Sequence, residues 1–223
     1  MFLKLKNINF SYKNFKILKK INFKFEKTWI YTITWPSWSW KSTLLKIIWW
    51  FLKPESWEIF FEWENIYNNF YKKNQLFPFW KVGIKVNKLI NFKQKNIGFS
   101  YQNLNLIDEL SVKDNLELKS KLTKIKIDNS WKKYLLEYFE ISDLLEKKVG
   151  EISWWQALRV SLIKSVLLKP KILLLDEPES WLDSRLTKKL IEFEKDYAKN
   201  NLVIISSHYL NKWKKNFLEI NKI

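Results

Sequence analysis

The sequence predicts an α/β fold with a mainly parallel sheet, an antiparallel β unit at its N-terminal end and an α-helical insertion. Three observations predict it. Strand-like and helix-like segments alternate along most of the chain, which is the order that builds a parallel sheet covered by helices. Ile172-Leu173-Leu174-Leu175 is a continuous apolar run, as a central strand buried on both faces requires. Ile30-Tyr31-Thr32-Ile33-Thr34 is a β-branched run that leads straight into a short loop and then a helical pattern.

The elements follow in order. Leu3 to Phe10 and Ile17 to Phe25 alternate apolar and polar side chains around a turn near Lys13-Asn14, so they read as antiparallel strands. Ile30 to Thr34 is a buried strand and Ser42 to Ile48 a helix. Pro54-Glu55-Ser56-Trp57 reads as a turn before the short strand Glu58 to Phe61. Residues 64 to 95, rich in Asn, Lys and Phe, carry no clear period and read as a loop or insertion. Ile97 to Tyr101 is a strand ended by Gln102. From Val112 to about Leu145 the apolar spacing is helical, broken near Asp128-Asn129-Ser130; Ser161 to Leu168 continues a helix that Pro170 closes. Leu202 to Ser206 is expected beside Ile172 to Leu175. One domain over 1–223 is expected, with a helical part at about 105–165.

Bulk numbers exclude several function classes. The chain has 223 residues and no cysteine, which removes disulfide frameworks, thiol nucleophiles and Cys-based metal sites. Met1 to Lys6 lacks the apolar core of a signal peptide, and no uncharged apolar run approaches the roughly 20 residues needed to span a bilayer. A cytoplasmic protein is expected. The net charge of +17 invites a nucleic-acid or anionic-lipid reading. Against it, the lysines are scattered among Asn, Ile and Phe, and pairs such as Lys132-Lys133 and Lys188-Lys189 read as solvated helix faces.

The loop between strand and helix carries the chemistry. Trp35-Pro36-Ser37-Trp38-Ser39-Trp40-Lys41-Ser42-Thr43 becomes G-x-x-x-x-G-K-[ST], a phosphate-binding loop, once each tryptophan is read as glycine. Such a loop turns backbone N–H groups toward phosphates, which calls for residues without side chains at the anion. Composition points the same way: the chain holds 3 Gly and 14 Trp, where average usage of about 7% predicts roughly 16 glycines. Trp49, Trp50, Trp57, Trp63, Trp154, Trp155 and Trp181 likewise fall where turns or close backbone approach suit glycine. The expectation is that UGA codons, read as glycine in the source organism, are written here as tryptophan. In the loop, Lys41 would reach the β- and γ-phosphates of ATP and Ser42 would ligate Mg²⁺. Asp176, at the tip of the apolar strand, would hold Mg²⁺ through its waters, and Glu177 would orient and deprotonate an attacking water.

Ile152-Ser153-Trp154-Trp155-Gln156 resembles the L-S-G-G-Q signature of ATP-binding-cassette (ABC) ATPases, about 20 residues before Asp176. Ser180-Trp181-Leu182-Asp183 resembles that family's D-loop, and His208, the only histidine, its switch histidine. Gln102 resembles the Q-loop glutamine, and Tyr12 the aromatic that stacks on adenine. Ile97-Gly98-Phe99 with Asn103 to Ile107 looks most like lipoprotein-release and macrolide-export cassettes. The resemblance spans about residues 3 to 215. Glu179 stands where threonine is usual, Ala157-Leu158 where polar residues are usual, and 64–95 is long.

The resemblance implies a P-loop NTPase core of the ABC ATPase fold that uses ATP and Mg²⁺. Two copies would pair head to tail: Lys41, Ser42, Gln102, Asp176, Glu177 and His208 of one would meet Ser153 and the backbone of Trp154 and Trp155 of the other, and Gln156 and Asp183 would also belong to the nucleotide site. Ser42, Gln102 and Asp176 would serve the metal. The implied protein is the ATP-hydrolysing subunit of a transporter, peripheral on the inner face of the membrane and docked to a separate membrane permease near Gln102 and the helical insertion. Two alternatives stand beside it: a soluble ABC-type ATPase acting on nucleic acid or ribosomes, and, with the indoles taken literally, a basic protein that stacks on single-stranded nucleic acid.

Overall fold

The computed structural model describes residues 2–13, 15–26, 29–34, 40–49, 51–62, 64–65, 91–101, 104–178 and 182–207. Two sheets organise them. The first is antiparallel in the order β2-β1-β4-β5, built from β1 (Leu3–Tyr12), β2 (Phe15–Phe25), β4 (Ser56–Phe61) and β5 (Glu64–Asn65). The second runs β3-β8-β7-β6, from β3 (Ile30–Ile33), β6 (Ile97–Ser100), β7 (Ile172–Asp176) and β8 (Leu202–Ser206), and every pair in it is parallel. The apolar run at 172–175 is therefore an inner strand, flanked by β8 and β6, with all its residues buried.

The period of two along a strand divides the core. Ile172, Leu174, Leu202 and Ile204 face one side, where they join α1 (Lys41–Ile48) and the apolar face of the antiparallel sheet. Leu173, Leu175, Val203 and Ile205 face the other, packing with the helices that follow β6. Those helices are α2 (Val112–Thr123), α3 (Asn129–Tyr138) and α4 (Trp154–Val166), with 3₁₀ turns at Ser142–Leu144 and Val149–Glu151; α5 (Ser184–Tyr197) lies between β7 and β8. Ser111 and Asp128 cap α2 and α3 by accepting from the backbone N–H groups of Asp114 and Trp131. The break expected near 128–130 is thus a capped helix start.

Three details differ from the sequence pattern. Residues 56–57 already belong to β4 instead of a turn, because pairing of Asn9 with Ser56 extends the ladder. Residues 91–96 are helical and 64–65 pair with β4, so the unpatterned stretch holds some regular structure; 66–90 lie outside the described residues. The backbone at Trp40 (φ −102°) and Trp49 (φ −80°) is right-handed, and no described tryptophan has positive φ. Conformational demand for glycine is therefore absent at those two sites, where the helix-terminal geometry suits any residue. Trp35 and Trp38 lie outside the described residues.

Gly98 is a true close-approach glycine. A Cβ there would meet the Ser165 carbonyl oxygen at 2.1 Å, so β6 and α4 can touch only over a bare backbone.

Candidate nucleotide site

The C-terminal ends of β7 and β8 and the start of α1 meet at one point. Asp176 ends β7 in register with Ser206 of β8, so their side chains share one face. Ser206 donates its hydroxyl to Asp176 Oδ1 at 2.5 Å, and Ser42, on the first turn of α1, donates to the same oxygen at 2.9 Å. Asp176 is thereby fixed by two hydroxyls from segments 134 and 30 residues away in sequence. Glu177 follows with φ +52°, a left-handed turn that carries its chain off the strand axis. The Glu177 N–H donates to both the Ser206 carbonyl and its hydroxyl, at 3.0 and 3.1 Å, which secures that uncommon backbone.

Lys41 opens α1 fully buried, and its Nζ lies 3.5 Å from Glu177 Oε1; the two side chains are 1% and 10% exposed. A buried ammonium needs an anion beside it. Here the Glu177 carboxylate supplies that charge. α1 starts at Trp40 without a side-chain cap and with no acid in its first turn, which leaves its positive dipole end without a protein carboxylate of its own helix. Tyr101 is half-buried beside this cluster, and desolvation together with the charge of Asp176 raises the pKa of its hydroxyl.

The donor set fits Mg²⁺. A hydroxyl and a carboxylate, Ser42 and Asp176, offer hard oxygens in contact, and Mg²⁺ typically takes one or two protein oxygens and completes its shell with water and phosphate. No group of three or more His, Cys, Asp or Glu with metal-holding geometry occurs among the described residues.

A second part of the predicted site stands apart. Ser153 caps α4: its hydroxyl accepts from the Gln156 N–H at 3.3 Å, and Gln156 Oε1 accepts from the Ser153 N–H at 2.8 Å, a reciprocal capping box. That leaves the N–H groups of Trp154 and Trp155 pointing out of the first turn with no partner among the described hydrogen bonds, an anion-binding arrangement. Both indoles are about half exposed. Asp183 caps α5, accepting from the Leu186 N–H at 2.8 Å. No described contact joins Ser153, Gln156 or Asp183 to the Lys41–Glu177 cluster.

The remaining candidates distribute as follows. Thr43 is buried in α1; Trp40 is buried at its start. Tyr12 ends β1, partly exposed and edge-on to Phe10 with ring centres 4.8 Å apart. Trp35, Pro36, Ser37, Trp38, Ser39, Gln102, Ser180, Trp181 and His208 lie outside the described residues. Ser206 is a site residue that sequence reasoning passed over as ordinary strand; its signal was the parallel register that sets it beside Asp176.

This geometry, a buried lysine at a helix start facing a carboxylate pair at the tip of a central parallel strand, defines a P-loop nucleotide hydrolase. Residues 18–180 match the ABC transporter family, and the chain belongs to it as an ATP-binding, ATP-hydrolysing domain. It is 32% identical over 195 residues to the ABC transporter ATP-binding protein YxdL of Bacillus subtilis (strain 168), covering 85% of this chain and 70% of that protein. It is also 32% identical over 192 residues to the molybdate/tungstate import ATP-binding protein WtpC of Methanocaldococcus jannaschii, covering 85% and 57%. The chain thus spans little more than half the length of that import protein. Among solved structures, a dimeric form of MJ0796, a bacterial ABC transporter cassette, superposes with a TM-score of 0.76 at 26% identity, covering 94% of this chain and 89% of that one.

Proposed function

We propose that this chain is the ATP-hydrolysing subunit of a transporter that works as a head-to-tail pair of cassettes on a separate membrane permease. The observation that carries the reading is the meeting of Lys41, Ser42, Asp176 and Glu177, drawn from opposite ends of the sequence into one buried cluster. ATP would enter by exchanging its phosphates for Glu177 at Lys41. Ser42 and Asp176, with Gln102, would hold Mg²⁺, whose charge offsets that of the phosphates. Released from Lys41, Glu177 would orient the attacking water and take its proton, with His208 at the γ-phosphate and Tyr12 against the adenine. The free N–H groups at 154 and 155, with Ser153, Gln156 and Asp183, would close the γ-phosphate site of the second copy. That explains why they stand apart from the first cluster. The dimeric state of the related cassette supports this pairing.

No described helix is long and apolar enough to cross a membrane, so the transport path would come from another chain, docked near Gln102 and the helical segment. We place the protein peripherally on the inner membrane face. Ile97-Gly98-Phe99 and Asn103 to Ile107 favour an export-type cassette.

We also propose that tryptophan at 35, 38, 40, 154 and 155 stands for glycine in the cellular protein. An indole in the phosphate loop would occupy the space that Lys41 and the α1 terminus leave for an anion. Trp131 is different in kind: its indole N–H donates to the Val166 carbonyl at 3.1 Å and its ring stacks near Tyr134, Phe193 and Tyr197, so an indole is used there.

The test compares two recombinant chains, one as written and one with glycine at those five positions, together with peptide mass spectrometry of the native protein. The glycine form should hydrolyse ATP, Glu177→Gln in it should bind ATP with turnover nearly abolished, and native peptides should carry glycine. Unchanged turnover in the Glu177→Gln variant would remove Glu177 as base. Native peptides carrying tryptophan at 35, 38 and 40 would end the recoding proposal.

A further inference from the structure

The turn that ends α3 touches two helices at once. Phe139 closes α3 and Glu140 follows with φ +55°. The Glu140 N–H donates to the Glu137 carbonyl at 3.2 Å, and the Ile141 N–H to the Leu136 carbonyl at 3.0 Å. Glycine is the usual residue at such a helix end, because a side chain on left-handed backbone is strained. The carboxylate kept here in spite of that strain is fully engaged. Arg185 of α5 grips it with both terminal nitrogens, at 2.5 and 2.8 Å, and Lys189, one turn further along α5, donates at 2.6 Å. Beside them the Tyr138 hydroxyl donates to the Lys189 carbonyl at 2.9 Å.

The same turn holds α4 through its backbone. Arg159 Nη1 donates to the carbonyls of Phe139 and Glu140, at 2.9 and 3.1 Å. Residues 138–140 thus brace α4 against α5. Direct packing between the two helices is incomplete at that place: Leu158 and Leu162 of α4 and Leu186 of α5 line a cavity of about 10 Å³, room for about one water.

What the brace connects gives its meaning. Arg159 stands two turns from Ser153, the cap of α4, and Arg185 lies within one turn of Asp183, the cap of α5. Both caps belong to the part of the site that would serve the second copy. Glu140 itself makes no described contact with Lys41, Ser42, Asp176 or Glu177. Its ion pairs are poor sources of stability, since the Arg185, Glu140 and Lys189 side chains are 62%, 37% and 31% exposed and pairs this wet contribute little. A two-pronged guanidinium–carboxylate contact does, however, fix direction.

We propose that Glu140 is a positioning residue for the ATP held by the partner copy. Through Arg185 and Arg159 it keeps the starts of α4 and α5 in one relation, so that Ser153 and Asp183 reach the opposite nucleotide together. This rests on the head-to-tail pairing proposed above, and it names the residue that joins the two elements one copy lends to the other.

The experiment uses the full-length glycine form. Glu140→Ala should lower kcat for ATP about tenfold or more, while KM and the affinity for ADP stay within about twofold of the parent. Arg185→Ala reaches the brace from the other side and should do the same. The double variant should be no slower than the slower single one, because both changes remove one contact. Complementation then separates positioning from mere structure. Glu177→Gln has intact starts of α4 and α5 but lacks the base, and Glu140→Ala is the reverse. In the time the parent needs for one turnover, an equal mixture should cleave about a quarter of the parental amount of ATP, because random pairing makes about half the pairs mixed, each with one complete site. Neither variant alone should approach that yield. A mixture no better than the average of its components overturns the proposal. So does parental kcat in Glu140→Ala, or loss of ADP binding in Glu140→Ala and Arg185→Ala alike. A parental rate per chain that does not rise with protein concentration would instead sink the pairing, so the two failures are distinguishable.

Discussion

The contact between Lys41 and Glu177 makes a prediction about nucleotide affinity that hydrolysis cannot confuse. In the resting site the carboxylate holds the lysine at 3.5 Å, both nearly out of water. In the proposed site ADP would displace Glu177 to bring its β-phosphate to Lys41. Glu177→Gln keeps the shape and removes the competing charge. At that separation and an effective dielectric of about 20 the raw attraction is about 5 kcal/mol. Desolvation offsets most of it, leaving a net pairing of about 1–2 kcal/mol. ADP, which cannot be hydrolysed here, should therefore bind Glu177→Gln about 5- to 30-fold more tightly than the parent glycine form. The same change removes a charged partner of a buried ammonium, and should destabilise the nucleotide-free protein by about 2–3 kcal/mol. For a domain of this size that is a fall in Tm of about 5–10 °C. Saturating ADP should recover the loss, because phosphate then neutralises Lys41. Calorimetric titration with ADP and thermal unfolding with and without it measure both effects. Equal ADP affinity in parent and variant, with an unchanged nucleotide-free Tm, would refute the reasoning.

Other positions give sharper structural tests. Gly98→Ala should unfold or severely destabilise the protein, because its Cβ would sit 2.1 Å from a backbone oxygen that α4 cannot withdraw; a soluble variant with parental Tm would show that β6 and α4 do not approach as described. Ser153→Ala removes the reciprocal cap of α4 and should cost about 1 kcal/mol, or about 2–4 °C in Tm. Glu140 is held down to a pKa of about 2 by hydrogen bonds from Arg185 and Lys189. A depressed carboxylate stabilises above its unfolded-state value and loses that contribution as pH falls through the folded one. The Tm gap between parent and Glu140→Gln should thus be full at neutral pH and close between about pH 4.5 and 2. A gap independent of pH would assign Glu140 a packing role instead. The pair is substantially solvent-exposed, so the gap should be small.

The sequence disclosed the architecture because its strands carry unambiguous periods. The alternation at 3–10 and 17–25 could serve only a sheet with one wet face, and the unbroken run at 172–175 only a strand with none. The four residues that the structure brings together, Lys41, Ser42, Asp176 and Glu177, were legible for a different reason: the chemistry proposed for each is open to few residue types, so they announce themselves in one dimension. Ser206 does not, since a serine at a strand end has many ordinary uses, and only the parallel register shows that it aims at Asp176. A pocket lined by Lys119 and Lys164, with Lys93 close by, was illegible for the same cause magnified. Lys93, Lys119 and Lys164 are three among 40 lysines and arginines, and nothing local marks them as near neighbours. Pairwise proximity across 71 residues (164 − 93) is a property of the fold, not of any window of sequence.

The written tryptophans raise a final point about what a fold can report. Packing in the two core clusters draws on the large aliphatics of β1, α1, β7 and β8; among the described tryptophans only Trp40 is buried in either, with Trp49 and Trp131 packed against them. Trp154 and Trp155 project into solvent from the first turn of α4, and Trp49 ends α1 in ordinary right-handed geometry. Exchanging Trp154 and Trp155 for glycine therefore leaves the hydrophobic framework intact, whereas the same change at Trp40 and Trp49 removes rings that pack in and against the first core cluster. Function sets the narrower limit. In the proposed site the phosphate loop and the α4 terminus would bind anions through backbone N–H groups, and a ring at those points would compete for the ligand's own volume. At the start of α4 the fold is thus permissive where the chemistry is strict. A thermal unfolding comparison should show the written and glycine forms both folded, with ADP raising the Tm of the glycine form alone. Equal stabilisation of both by ADP would mean that the indoles stand clear of the phosphates, and the steric basis for glycine at 35, 38 and 40 would be gone.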